Sequence, residues 1–197
     1  MELKAKQKSA TVEYPVSDLI QNRRSTRVFL NKPVSDEKIF SLFEATRWAP
    51  SSVNEQPWMY LYTTPDQSAL WQKMIEPLSE GNKVWVKDAP LLILSLARKT
   101  FSRNGVPNFY SLYDLGGANA MLALQAVDLG LQVRQMAGFD REATRLNLNI
   151  PDEFELGVFI AVGYPGDIDT VPEPIKTKEL SPRTRFLQQE FVRNSVF

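Results

Sequence analysis

Residues 89–97, reading APLLILSLA, form an almost unbroken apolar run of strand length. A strand with one wet face alternates apolar and polar side chains; this run does not, so both of its faces must be covered. The chain is thereby restricted to a sheet held between helices, and the helical patterns that could cover it are present. Residues 36–49 place Ile39, Leu42 and Phe43 on one side, with Ser35 in capping position, Asp36 and Glu37 in the first turn and Pro50 as the stop. Residues 110–129 make the longest helical stretch, closed by Gly130 where a left-handed cap is expected. Gly116, Gly117, Ala118 and Ala120 give it a small-residue face suited to close packing.

Shorter helices are expected at residues 16–24, with Val16, Leu19 and Ile20 on one face, at 66–78, and from the Asp140 cap to 146. A short segment at 82–86 stands between them. Further strands are expected at 59–63, 131–137 and 154–164. Helices alternating with apolar strands give an α+β or α/β sandwich, one domain over residues 1–197, with helices on both faces of the sheet. Residues 1–14 read as a loose polar arm. Residues 165–197 read as a proline-rich segment too extended to build a core of its own, ending in a helix that Phe186, Leu187 and Phe191 can dock. Residues 98–108, with Gly105 and Pro107, are long enough for a lid or simply disordered.

Composition narrows the chemistry. The 23 basic residues balance the 23 acidic ones, and the isoelectric point is about 6.4. A nucleic-acid or membrane-surface binder normally carries a basic excess, so neither partner is expected. Without an apolar span or a signal-like N-terminus, the expected location is the cytoplasm. The chain has no histidine and no cysteine. That excludes Ser-His-Asp triads, Cys nucleophiles, Cys/His zinc, cysteine-ligated clusters and disulfides. Carboxylate, lysine or tyrosine chemistry remains, or a cofactor that brings its own reactivity.

Two stretches carry ligand-shaped chemistry. In 49–58, APSSVNEQPW, Pro50 and Pro57 stiffen a loop that offers Ser51, Ser52, Asn54 and Gln56. It is either an ordinary helix-to-strand turn or a binding edge for a planar, uncharged ring rich in donors and acceptors. In 23–29, RRSTRVF, Arg23, Arg24 and Arg27 with Ser25 and Thr26 are either a cationic pocket for phosphate oxygens or a solvated helix end. Arg183 and Arg185 form a second cationic site near the C-terminus. GGANA in the long helix lacks the glycine spacing of a dinucleotide fingerprint and the lysine of a P-loop, so it reads as packing.

RRSTRVF, APSSVNEQPW, GFDREATRLNLNIPD, VFIAVGYP and RTRFLQQ, in this order and spacing, resemble the flavin-dependent nitroreductase family over residues 16–192. The resemblance implies a central, mostly antiparallel sheet flanked by helices and an intertwined homodimer with two FMN sites, each built from both chains. It implies NADH or NADPH as donor and a small electron-poor acceptor. It matches Arg23 and Ser25, with Arg24 beside them, to the FMN phosphate and ribityl chain, and Arg27 to the pyrimidine edge. It matches Pro50, Ser51, Ser52 and Asn54, with Gln56 nearby, to a segment the partner lays along the ring. Asn82 matches a ring-binding amide, and Met136, Ala137 and Gly138 a backbone stretch near the reactive edge. Arg183 and Arg185 complete the phosphate site, and the helix from Tyr110 becomes the core of the dimer interface. Trp85 departs from the pattern, standing where some relatives have a basic residue. Phe109, Tyr110 and Tyr113 are open to two readings, substrate wall or core.

Overall fold

The computed structural model describes residues 12–196. Its sheet comprises β1 (Trp58–Thr63), β2 (Leu91–Arg98), β3 (Gln132–Met136) and β4 (Phe154–Gly163). They lie in the order β1-β2-β4-β3, and every neighbouring pair is antiparallel. The two most apolar strands therefore take the centre. Around them run helices α1 (Asp18–Asn22), α2 (Asp36–Arg47), α3 (Ser68–Ile75), α4 (Glu80–Val86), α5 (Ser111–Asp128), α6 (Arg141–Leu148), α7 (Ile175–Leu180) and α8 (Gln188–Phe191).

Strand alternation sorts the core into two layers. Leu91 and Ile93 pack with Ile39 and Leu42 of α2 and with Leu122 and Ala126 of α5. Leu92, Leu94 and Leu96 face the other way, onto Trp71 and Met74 of α3, Trp85 and Val86 of α4, and Ile175 of α7. Each side chain of this size removed from water contributes about 1.5–3 kcal/mol, which is why the unbroken run demands both layers. Among the described residues no helix is long and apolar enough to cross a membrane.

A bulge fixes how α5 sits on the sheet. The β2–β4 register slips between Leu94 and Leu96. There the Ser95 hydroxyl donates to the Val158 carbonyl at 3.0 Å and accepts the Val158 N–H at 3.1 Å. Asn119 of α5 donates to the same hydroxyl at 3.2 Å and accepts from the Tyr60 hydroxyl at 3.0 Å. Gly157 makes room for this, since a Cβ there would lie 2.6 Å from Ser95 Oγ. Burial pushes the Tyr60 phenol well above its ordinary range, so the network stays neutral. The helix then ends as its sequence dictates: Gly130 adopts φ 74°, and the Leu131 N–H closes on the Ala126 carbonyl at 2.7 Å.

Several expectations are corrected. Helix α1 is only five residues long and buries none of them: Leu19 is half-buried and Ile20 lies against α5, while Val16 precedes the helix and is exposed. Ser35 precedes α2 in extended conformation but makes no side-chain cap. Residues 98–108, expected as a lid or as disorder, form an ordered turn: Thr100 pairs with Pro107, and Gly105, at φ 71°, turns the chain. The tract after Pro165 contains α7 and adds Ile168 and Ile175 to the buried set, because a proline-rich stretch can still end at a helix. Helix α8 is a single turn whose Phe186, Leu187 and Phe191 stay exposed. Of the N-terminal arm, residues 1–11 lie outside the described residues, as does residue 197; residues 12–14 are exposed.

Candidate functional site

The arginines at the two ends of the chain meet. Arg23, Arg24, Ser25 and Arg27 line a cleft of about 260 Å³ together with Arg183 and Arg185. The edge strand β3 holds the N-terminal segment in place. Its Gln132 accepts the Arg24 N–H at 2.8 Å and donates to the Asn22 carbonyl at 3.2 Å, and its Arg134 donates to the Ser25 carbonyl at 2.7 Å. The C-terminal segment is tied on by Arg183, which donates to the carbonyls of Gln21 at 2.7 Å and Arg23 at 3.0 Å.

One carboxylate answers this charge from inside. Glu179 of α7 is 5% exposed. It accepts the Thr26 hydroxyl at 3.0 Å, the Arg27 N–H at 2.9 Å and the Arg27 guanidinium at 3.2 Å. Thr26 therefore points inward and is no donor for a ligand. Other guanidiniums of the cleft donate to neutral oxygens, as when Arg24 donates to the Glu179 carbonyl at 3.3 Å. Burial and then Arg185 depress the pKa of Arg23; burial and then Arg24, Arg23 and Arg185 depress that of Arg183. Guanidinium stays ionised regardless, so the depression reflects first the cost of burying these cations and second their mutual repulsion, and it is the repulsion that an anion would relieve.

The 50–57 loop lies elsewhere, and none of its residues lines the cleft. Its backbone is strained: Val53, Asn54 and Gln56 hold φ of 48°, 59° and 52°. Such left-handed conformations cost about 1–3 kcal/mol each outside glycine, most for a β-branched residue. Surrounding bonds impose them. The buried Asp114 of α5 accepts the Ser52 N–H at 3.1 Å, Ser51 Oγ accepts the Gln56 N–H at 3.0 Å, and Glu55 accepts the Ser102 N–H at 2.6 Å. Pro50, Asn54 and Gln56 face solvent, and Ser51 and Ser52 are half-buried.

Asn82 and Gly138 do come together. Asn82 donates to the Gly138 carbonyl at 3.1 Å, which also accepts the Ser79 N–H at 2.9 Å. Gly138 keeps this contact close, since a Cβ there would lie 3.0 Å from Ser79 Oγ and 3.2 Å from Asn82 Nδ2, which would have to give way. Ala137 and Gly138 are exposed, whereas the Met136 side chain is buried in the α4 layer, leaving only its backbone available. Phe109, Tyr110 and Tyr113 are not core: Phe109 is 90% and Tyr113 82% exposed.

Residues 20–164 match the family model for the nitroreductase family. The chain belongs to the nitroreductase family. Among curated relatives, an Archaeoglobus fulgidus protein provisionally named an NADH dehydrogenase/NAD(P)H nitroreductase is 31% identical, covering 76% of this chain and 84% of its own. The iodotyrosine deiodinase of Thermotoga neapolitana is 30% identical, covering 76% of this chain and 88% of its own. A solved oxidoreductase that contains FMN superposes with a TM-score of 0.89 at 32% identity, over 95% of this chain and 96% of that one. The nitroreductase fold expected from the sequence is thus the fold observed.

Within this nitroreductase scaffold, Arg134, Glu179 and Asp114 are site residues that reading the sequence missed. Arg134 had a visible signal, a lone cation inside the apolar strand pattern LQVRQMA. Glu179 and Asp114 had none, since acidic residues on helices are ordinarily solvated and both become buried only when the chain folds.

Proposed function

We propose that this nitroreductase is a homodimeric, FMN-dependent oxidoreductase that uses NADH or NADPH to reduce a small electron-poor acceptor. The observation that carries the reading is the arginine cleft, where both ends of the chain bring guanidiniums together around a space with one internal carboxylate. That donor set fits a phosphate monoester: forked, permanently charged and already repelling one another. Bound FMN supplies two-electron transfer between the nicotinamide donor and an acceptor such as a nitroaromatic or quinone, which occupy one site in turn in a ping-pong scheme.

The chain's own residues hold and orient. Arg23, Arg24, Arg183 and Arg185 clamp the phosphate, and Ser25, whose Oγ lies 3.3 Å from the Arg23 guanidinium, adds a short polar contact beside it. Asn82, fixed on the Gly138 carbonyl, presents its amide beside the exposed 137–138 backbone. No side chain is assigned as acid or base, which accords with a sequence lacking histidine and cysteine. The second chain would contribute the strained 50–57 loop and cover α5. Gly116 and Ala120 on that helix are exposed, and a Cβ on Gly116 or Gly117 would meet nothing within 4 Å, so among the described residues these positions are uncovered, whereas Ala118 is buried. An apolar trough lined by Ile20, Ala120, Leu124 and Val133 adjoins it.

The test is the visible spectrum of purified protein before and after anaerobic NADH or NADPH, with the released flavin identified. An FMN spectrum that bleaches with a donor and returns with a quinone or nitro compound is the expected result. Colourless protein that takes up no FMN overturns the reading. The likeness to the deiodinase favours one second reading, reductive removal of halogen from an aromatic ring, which halide release from an iodinated phenol would reveal.

A further inference from the structure

The cleft has two electrostatic ends. Arg23, Arg24, Arg183 and Arg185 crowd one of them. Arg27 and Arg134 repel each other at the second; Glu179 pairs directly with Arg27 and acts on Arg134 only through space. These two cations are not equivalent. Arg27 donates from its backbone and its side chain to the Glu179 carboxylate, at 2.9 and 3.2 Å, so its charge is met by a buried anion. Arg134 donates instead to the neutral Ser25 carbonyl and lies 5.6 Å from the centre of the Trp85 ring. Its Nε is buried without an acceptor, and among the described residues no carboxylate is within ion-pair distance of it. An aromatic face offsets only a small part of a buried cation's cost.

We infer that Arg134, not Arg27, supplies the positive charge without a direct counter-ion at this end of the cleft and sets how readily bound cofactor accepts electrons. The inference rests on the FMN reading above. Oxidation of the nicotinamide donor delivers two electrons and one proton, so reduced FMN carries one more negative charge than oxidised FMN. A nearby unpaired cation favours the more negative form; a cation already paired with a carboxylate contributes far less. Arg134 is therefore a positioning and tuning residue on the rigid edge strand β3, held in place by the segment that carries Arg23 and Ser25.

The experiment measures the midpoint potential of bound FMN, and its dissociation constant in the oxidised state, for reconstituted wild type and four variants. Arg134→Gln and Arg134→Met remove the charge, the second keeping an apolar stem should the first fail to fold; Arg134→Lys keeps it; Arg27→Gln is the comparison. Loss of charge at Arg134 is expected to weaken the preference for reduced over oxidised FMN about tenfold, a fall of about 30 mV for two electrons. Arg134→Lys should stay near wild type and Arg27→Gln should shift less than Arg134→Gln. A merely structural Arg134 would weaken both redox states alike and leave the potential unmoved, which would overturn the inference, as would a larger shift from Arg27→Gln. Wild-type protein that binds no FMN would instead bring down the FMN reading itself.

Discussion

The arginine cleft and the 50–57 loop carry the two most polar motifs of the chain, and they are finished to different degrees. In the cleft, segments from both ends of one chain lock together through Gln132, Glu179 and Arg183, and what remains open is charge. In the loop, three non-glycine residues stand in left-handed conformations under bonds from Asp114 and Glu55, beside exposed Phe109 and Tyr113. What remains open there is surface. The cleft is thus closed by contacts within one chain, whereas the loop presents its strained residues to solvent.

The sharpest break of this comparison is at the anchor of the cleft. Glu179→Gln removes the buried counter-charge while leaving Arg27 in place, and is expected to destabilise the protein without ligand by about 3–5 kcal/mol in urea unfolding. Saturating FMN should recover part of that loss, because its phosphate partly relieves the same repulsion. Equal losses with and without FMN would mean that the cleft does not meet an anion.

Arg23→Ala comes next. It removes one charge-assisted phosphate contact and should weaken FMN binding by about 2–3 kcal/mol, roughly 30- to 150-fold, in a fluorescence titration. Unchanged flavin content would detach the phosphate from this end of the cleft. Gly116→Leu probes the other half. A Cβ at this position would meet nothing within 4 Å, and leaving glycine should strengthen α5 by up to about 1 kcal/mol. The expected outcome is a folded monomer in sedimentation that no longer retains FMN; an intact dimer would remove α5 from the interface.

The smallest effect is expected at Val53. Val53→Gly relieves a β-branched residue at φ 48° and should raise thermal stability by at most about 1 kcal/mol, since glycine's greater freedom when unfolded offsets part of the gain. A loss of stability would show that the Val53 side chain, not the bonds around it, holds the loop.

The helices at 36–49 and 110–129 and the central strand were legible because each rests on a local rule: periodicity, a proline stop, a glycine cap or an unbroken apolar run. The Gly130 cap is the clearest instance, because a left-handed residue after a long helix leaves few alternatives to the bonds observed. The two arginine clusters were equally visible as clusters. Where local rules had little to hold, at α7 within the proline-rich tract and at the hairpin of residues 98–108, the expectations failed. Short elements draw their stability from what they touch more than from their own propensity.

From the sequence alone came a layered α+β or α/β class, the lack of histidine and cysteine chemistry and the presence of cationic motifs at both ends. Tertiary structure decided that the two motifs share one cleft, that Thr26 turns inward to Glu179, that Arg134 enters from β3 without a carboxylate partner, and that Asp114 clamps the 50–57 loop. The physical reason is range. Burial and capping act within a few residues of chain, whereas charge pairing depends on which distant segments the sheet brings within a few ångströms.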